Sequence, residues 1–236
     1  MRAGRKAIFG GLILAIAAGS VAVAARGASR ARKATRIDPG DFTTKIDNPF
    51  MPWEPGTVFH YRSSQAGTRN PVAVTHRTTR IIGVECVVVR DVVKVNGKPR
   101  ERSLDWYAQD KAGNVWYFGE ASSHFTHGHW VHDAADSWRS GVHGARPGII
   151  MEAHPRKGDR YAQENAPNSR DRAKVLGYVG TVTVPFGTFH HVLETKEFTP
   201  LEPSIDHDFY ARGIGEIEEI NVKGGEGKTK LVSVDH

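Results

Sequence analysis

The chain has a single cysteine, Cys86, among its 236 residues, which excludes an intramolecular disulfide and leaves the fold to rest on its core. Cys86 lies in the apolar run Val84-Glu85-Cys86-Val87-Val88-Val89, where a buried, inert thiol is expected rather than a nucleophile. No cysteine lies near the N-terminus, so a lipid anchor built on one has no support. Long amphipathic helices and internal repeats are also missing. So is a basic face. Residues 1–36 carry eight Lys or Arg and no acid, which leaves 24 bases against 26 acids in the remainder. The overall charge of +6 therefore belongs to the N-terminus, and a nucleic-acid partner is excluded from the expected classes.

What the N-terminus does have is an export pattern. Arg2, Arg5 and Lys6 precede an uncharged apolar run from Ile8 to Ala25, and Ala22-Val23-Ala24 offers small residues for cleavage. Eighteen apolar residues also approach the length that spans a bilayer, so a retained anchor is the second reading. The following basic cluster of Arg26, Arg30, Arg32, Lys33 and Arg36 runs against the usual orientation rule for a translocated flank. The expected division is residues 1–25 as signal peptide or membrane anchor, 26–40 as a basic flexible spacer, and 41–236 as one β domain. The expected location is extracytoplasmic, secreted or anchored in the cell envelope.

Beyond the spacer, strand signals dominate. Residues 46–56 set three prolines among large apolar residues and read as an extended loop pinned on the core. Val72–Ile82 and Val84–Val95 are β-branched runs divided by Gly83, and Asn96-Gly97 is a strong hairpin turn. Ala173–Val184 and Thr188–Phe198 flank Pro185-Phe186-Gly187 as a long hairpin, and further strands follow to residue 234. These features predict a mainly β fold: a curled antiparallel sheet, half-barrel or open barrel, that disposes of its edges. Residues 122–148, rich in His and Gly, read as a long loop or lid. A short helix is expected at Ala134–Arg139 after Asp133, and the whole chain should hold one or two.

The segment Asp105–Glu120 reads as two aromatic strands joined by an Asp-Lys-Ala-Gly-Asn turn, with Asp110 capping it. Asp105 and Glu120 then face each other across the hairpin, and paired carboxylates can serve as acid and base or nucleophile. They are the candidate catalytic residues, against the plainer reading of solvated strand ends. Trp106, Trp116 and Phe118, with Tyr210 on a later strand, are the candidate ligand-binding residues; ordinary sheet packing accounts for aromatic residues there equally well. His124, His127, His129 and His132, followed by Asp133, are the candidate metal ligands, with His127 and His129 foremost. Imidazole and carboxylate suit zinc or copper, although the spacing matches no specific metal motif. No other cofactor is expected.

Several segments together carry a resemblance: Ile46-Asp47-Asn48-Pro49, Asp105–Glu120, Ser137-Trp138, Tyr161-Ala162-Gln163-Glu164, Thr199–Pro203 and Tyr210-Ala211-Arg212-Gly213-Ile214-Gly215. Over roughly residues 38–234 the chain resembles a family of exported bacterial proteins common in actinobacteria. The Val184–Phe189 turn and the Tyr-Ala-x-Gly-x-Gly segment also resemble, more distantly, cell-envelope β half-barrels of the lipoprotein-carrier kind. That second resemblance implies an acyl or other amphipathic ligand in the concavity of the sheet. The expectation is thus a binding protein with a small or lipid-like partner, which touches the membrane through its N-terminal segment if that is retained. The alternative is a carboxylate- or metal-dependent hydrolase of the envelope.

Overall fold

The computed structural model describes residues 37–236, so the export segment and most of the basic spacer lie outside the described residues. Strands hold 66% of the described chain and helix 2%, and no described helix is long and apolar enough to cross a membrane. The helix is a three-residue 3-10 turn at Pro39–Asp41, capped by Asp38, whose side chain accepts from Gly40 N. The short helix expected at Ala134–Arg139 does not form. Asp133 instead accepts the Ala135 and Asp136 amides on Oδ1, and the chain bends back into a strand at Trp138.

The strands, in order, are β1 (Phe42–Thr43), β2 (Ile46–Asn48), β3 (Met51–Trp53), β4 (Val58–Ser63), β5 (Thr68–Ile81) and β6 (Val84–Val95). The aromatic hairpin is β7 (Lys98–Asp110) with β8 (Val115–Thr126), followed by β9 (His129–His132), β10 (Trp138–Arg139) and β11 (Arg146–Met151). Then come β12 (Arg160–Ala162), β13 (Glu164–Asn165), β14 (Arg172–Val184), β15 (Gly187–Phe198), β16 (Ile205–Ala211), β17 (Gly215–Lys223) and β18 (Gly227–Asp235). They pair antiparallel in the order β12-β14-β15-β16-β17-β18-β4-β5-β6-β7-β8-β11-β13, with β1 added to β7 and β9 and β10 to β8. The result is a sheet nearly closed into a barrel with one seam.

The chain itself crosses that seam. β12 pairs with β14 on one side and β13 with β11 on the other, and Gln163 is the residue between them. The Gln163 and Glu164 amides both donate to Asp171 O, at 2.8 and 3.2 Å. Gly148 on β11 lies so close to the Ala162 and Gln163 carbonyls that a Cβ there would overlap both.

Hairpin chemistry explains the long strands. Asn96 and Gly97 take φ of 50° and 77°, the left-handed pair of a type I′ turn. His127 and Gly128 do the same at 50° and 85°. The residues expected to form a His/Gly-rich loop therefore make a hairpin of β8 with β9, supported by the paired Phe125 and Trp130 rings 5.1 Å apart. The Asp110 cap is as expected. Its carboxylate accepts from Asn114 N at 2.9 Å, Asn114 Nδ2 at 2.9 Å and Trp116 Nε1 at 2.8 Å. Asp110→Ala should cost about 2 kcal/mol in urea denaturation, from three hydrogen bonds lost at a part-buried turn.

The interior is a packed core. Trp53, Tyr107, Tyr117 and Trp138 run edge to face or stacked with centroids 4.7–5.1 Å apart. The β2–β3 ribbon inserts Ile46, Phe50, Met51 and Trp53 into the same core. Asn48 pins this ribbon: its Nδ2 donates to Gly113 O and Glu152 O, and its Oδ1 accepts Phe50 N. The segment read from sequence as a pinned loop thus fills the barrel.

Candidate functional site

The register of β7 with β8 sets Asp105 directly opposite Glu120, both directed into the barrel beside Tyr107 and Tyr117. Tyr117 Oη donates to Asp105 Oδ1 at 3.1 Å and Ser103 Oγ to Oδ2 at 2.7 Å. Ser122 Oγ donates to Glu120 at 3.2 Å. Glu164, brought by the seam crossing, completes a group of three buried carboxylates and accepts from Ser169 Oγ. Burial, opposed only in part by Ser103 and Tyr117, pushes the Asp105 carboxyl up to about 8. Burial raises Glu120 far above its ordinary range, with Glu164 and Asp105 adding to it. Glu164 rises for the same reason, reinforced by Asp171. Burial thus favours the neutral, proton-bearing form of each of these groups over the ionised one.

The candidate ligand residues separate across the sheet. A bulge at Phe118 offsets β8 against β7, so that Tyr117 and Glu120 face inward while Trp116 and Phe118 face outward. Trp116 and Phe118 pack with Ile81, Val84, Cys86 and Ala108 in a second apolar cluster outside the barrel, covered by Ile37 and Phe42. Phe42 meets their rings edge-on at 6.0 and 5.5 Å. Tyr210 is inside, 2% exposed, and donates to Glu197 Oε1 at 3.2 Å. The four aromatic residues do not form one wall. Cys86 matches its reading: it is fully buried, and burial pushes its thiol up to about 12.

Trp106 reaches a pocket, and there it meets candidates of the other kinds. A cavity of about 510 Å³ opens where the two-residue β10 stands beside β8, lined by Trp106, Glu120, His132, Trp138, Arg139 and Asn168 among others. Val142, His143, Ala145 and Pro167 add to its wall. The Arg139 guanidinium lies 5.5 Å from the Trp106 ring and its Nη2 donates to Arg80 O, which ties the β5–β6 turn to the pocket. Trp138 is opposite Glu120, 6% exposed, and its indole N–H has no acceptor among the described residues. Asp105 is behind Glu120 and not on the pocket wall. Sequence reasoning missed Arg139 and Asn168, since each reaches its place through short segments without periodicity; Trp138 and Glu164 were visible only as parts of a resemblance.

The histidines are not one metal cluster. His127 occupies the hairpin turn with Nδ1 3.1 Å from Thr126 Oγ1, and His129 Nδ1 faces the His127 carbonyl at 3.2 Å. His132 pairs with Ser123, one position out of phase with His124, and faces the pocket. Two-residue periodicity thus divides the set. His124 meets carboxylates: Nε2 is 2.6 Å from Asp133 Oδ2, and Nδ1 is 3.6 Å from Glu101. Among the described residues, two groups have metal-compatible spacing, His124–Asp133–Asp136 and Asp208–Glu216–Glu219.

No family model matches the chain, and no curated protein does either. Among solved structures, the chain is similar to a Bacteroides fragilis protein described as exported and YmcC-like in fold. The two are 15% identical, with a TM-score of 0.39, over 78% of this chain and 97% of that one. It is also similar to a Parabacteroides distasonis protein described as a lipoprotein, at 12% identity and TM-score 0.42, over 79% of this chain and 98% of the other.

Proposed function

We propose that this is an exported envelope protein that binds an anionic amphipathic molecule in the pocket beside β10, not in the concavity of the sheet. The observation that carries this reading is the convergence of Trp106, Trp138, Arg139 and His132 on one cavity of about 510 Å³. That volume suits a small ligand. Indole faces, Val142 and the alanines favour an apolar body, while the Arg139 guanidinium favours an acidic head. Export, with anchoring or cleavage at the N-terminal segment, rests on the sequence pattern at residues 1–25. A place among the actinobacterial-type exported proteins rests on the sequence segments quoted above.

Titration with dansyl-undecanoic acid tests the reading. Saturable binding is expected, weakened about tenfold or more by Arg139→Gln, which removes the charge opposite the acid head. Binding unchanged in Arg139→Gln and Trp106→Ala rejects it. One observation favours a second reading, hydrolysis: the Glu120 carboxyl, raised by burial, lines the same pocket and could supply a general acid. Ester turnover abolished by Glu120→Gln, with binding retained, would select that alternative.

A further inference from the structure

The turn after β9 prepares a set of ligand atoms. Asp133 Oδ1 is engaged by the Ala135 and Asp136 amides at 2.9 and 3.3 Å, which leaves Oδ2 directed at His124 Nε2, 2.6 Å away. The same turn carries Asp136 back, so that one ligand atom from each of His124, Asp133 and Asp136 lies within 4.8 Å of the other two. The turn is held from outside. Ser137 Oγ donates to Asp133 O, and Asn168 Nδ2 donates to Ala135 O and Ser137 O. Behind the imidazole, Glu101 Oε1 faces Nδ1 at 3.6 Å. At that distance the carboxylate acts by its charge and not by a hydrogen bond, favouring the proton on Nδ1 and leaving Nε2 to the ligand side.

We propose that His124, Asp133 and Asp136 bind a divalent transition ion of the zinc or manganese kind. One neutral imidazole and two carboxylates suit an ion of intermediate hardness, and three protein ligands leave a position for water or for a ligand oxygen. The His124 side chain is 40% exposed and that of Asp133 20%, so the ion has a path from solvent. Ala134 and Ser137, which flank these ligands, line the pocket, so the ion sits at its rim. The metal site stands whether or not the pocket takes an amphipathic molecule.

Calorimetric titration of Zn²⁺ and Mn²⁺ into the purified protein decides the matter. One equivalent should bind, at least about tenfold more weakly in His124→Gln, Asp133→Asn and Asp136→Asn. Asp133→Asn keeps the oxygen that accepts the two amides, so it separates loss of a ligand from loss of the turn. Far-ultraviolet circular dichroism confirms that each variant is folded. The double variant His127→Ala/His129→Ala should bind like the parent. No uptake by the parent protein overturns the proposal. So does uptake that survives Asp133→Asn and Asp136→Asn, or that disappears in the His127/His129 double variant.

Discussion

Gly148→Val should destabilise the protein by roughly 3 kcal/mol or more and open the barrel at its seam. A side chain at residue 148 collides with the Ala162 and Gln163 carbonyls. Those atoms are backbone, and the segment is fixed by the paired amide bonds of Gln163 and Glu164 to Asp171 O, so nothing flexible can move aside. Urea denaturation gives the magnitude. Hydrogen exchange at the Gln163 and Glu164 amides gives the place, since their protection should fall before that of β5 or β6. Gly180→Val is the control. Gly180 is exposed on β14, and a Cβ there meets nothing within 4 Å, so its change should remain within about 0.5 kcal/mol.

Stability should decline as pH rises from about 5 to 8. Asp105 is pushed up to about 8 in the folded chain, while an unfolded aspartate titrates near 4. Between those values the folded state binds more protons than the unfolded one, so unfolding free energy falls with pH. The slope is about 1.4 kcal/mol per pH unit for each such proton, and Glu120 and Glu164 are raised in the same direction. The stabilising contribution is fully present below the unfolded value and is lost as pH passes the folded one. Asp105→Asn imitates the protonated carboxyl, since Tyr117 can still donate to its oxygen. It should flatten the profile and leave the variant more stable than the parent at pH 8. Urea midpoints across this range measure both effects. A parent protein that gains stability from pH 5 to 8 would contradict the buried, protonated state of these acids.

The sequence made the local pairing legible and left the long-range assembly hidden. Alternation and turn residues placed the Asn96-Gly97 hairpin, the long β14–β15 hairpin and the Asp105–Glu120 register. All of these follow from the chain within some thirty residues. The His-rich segment failed because Ser, Gly and four histidines hide a two-residue turn. The aromatic pair Phe125–Trp130 that stabilises it is recognisable only once the register is known. That Trp116 and Phe118 face away from Glu120 turned on one bulged residue of β8, which periodicity cannot show. The third acid, Glu164, arrives through a crossing between two edge strands of three and two residues. Nothing local marks that crossing. The same holds for β10, whose two residues place Trp138 and Arg139 at the pocket.

Photocrosslinking with a diazirine-bearing fatty acid, followed by peptide mapping, tests most directly where this protein holds its ligand. The pocket beside β10 predicts adducts on the segments 134–145 and 166–168, competed by unlabelled fatty acid and reduced in Arg139→Gln. Adducts confined to the inward face of β16 around Tyr210, or none above background, would contradict the account.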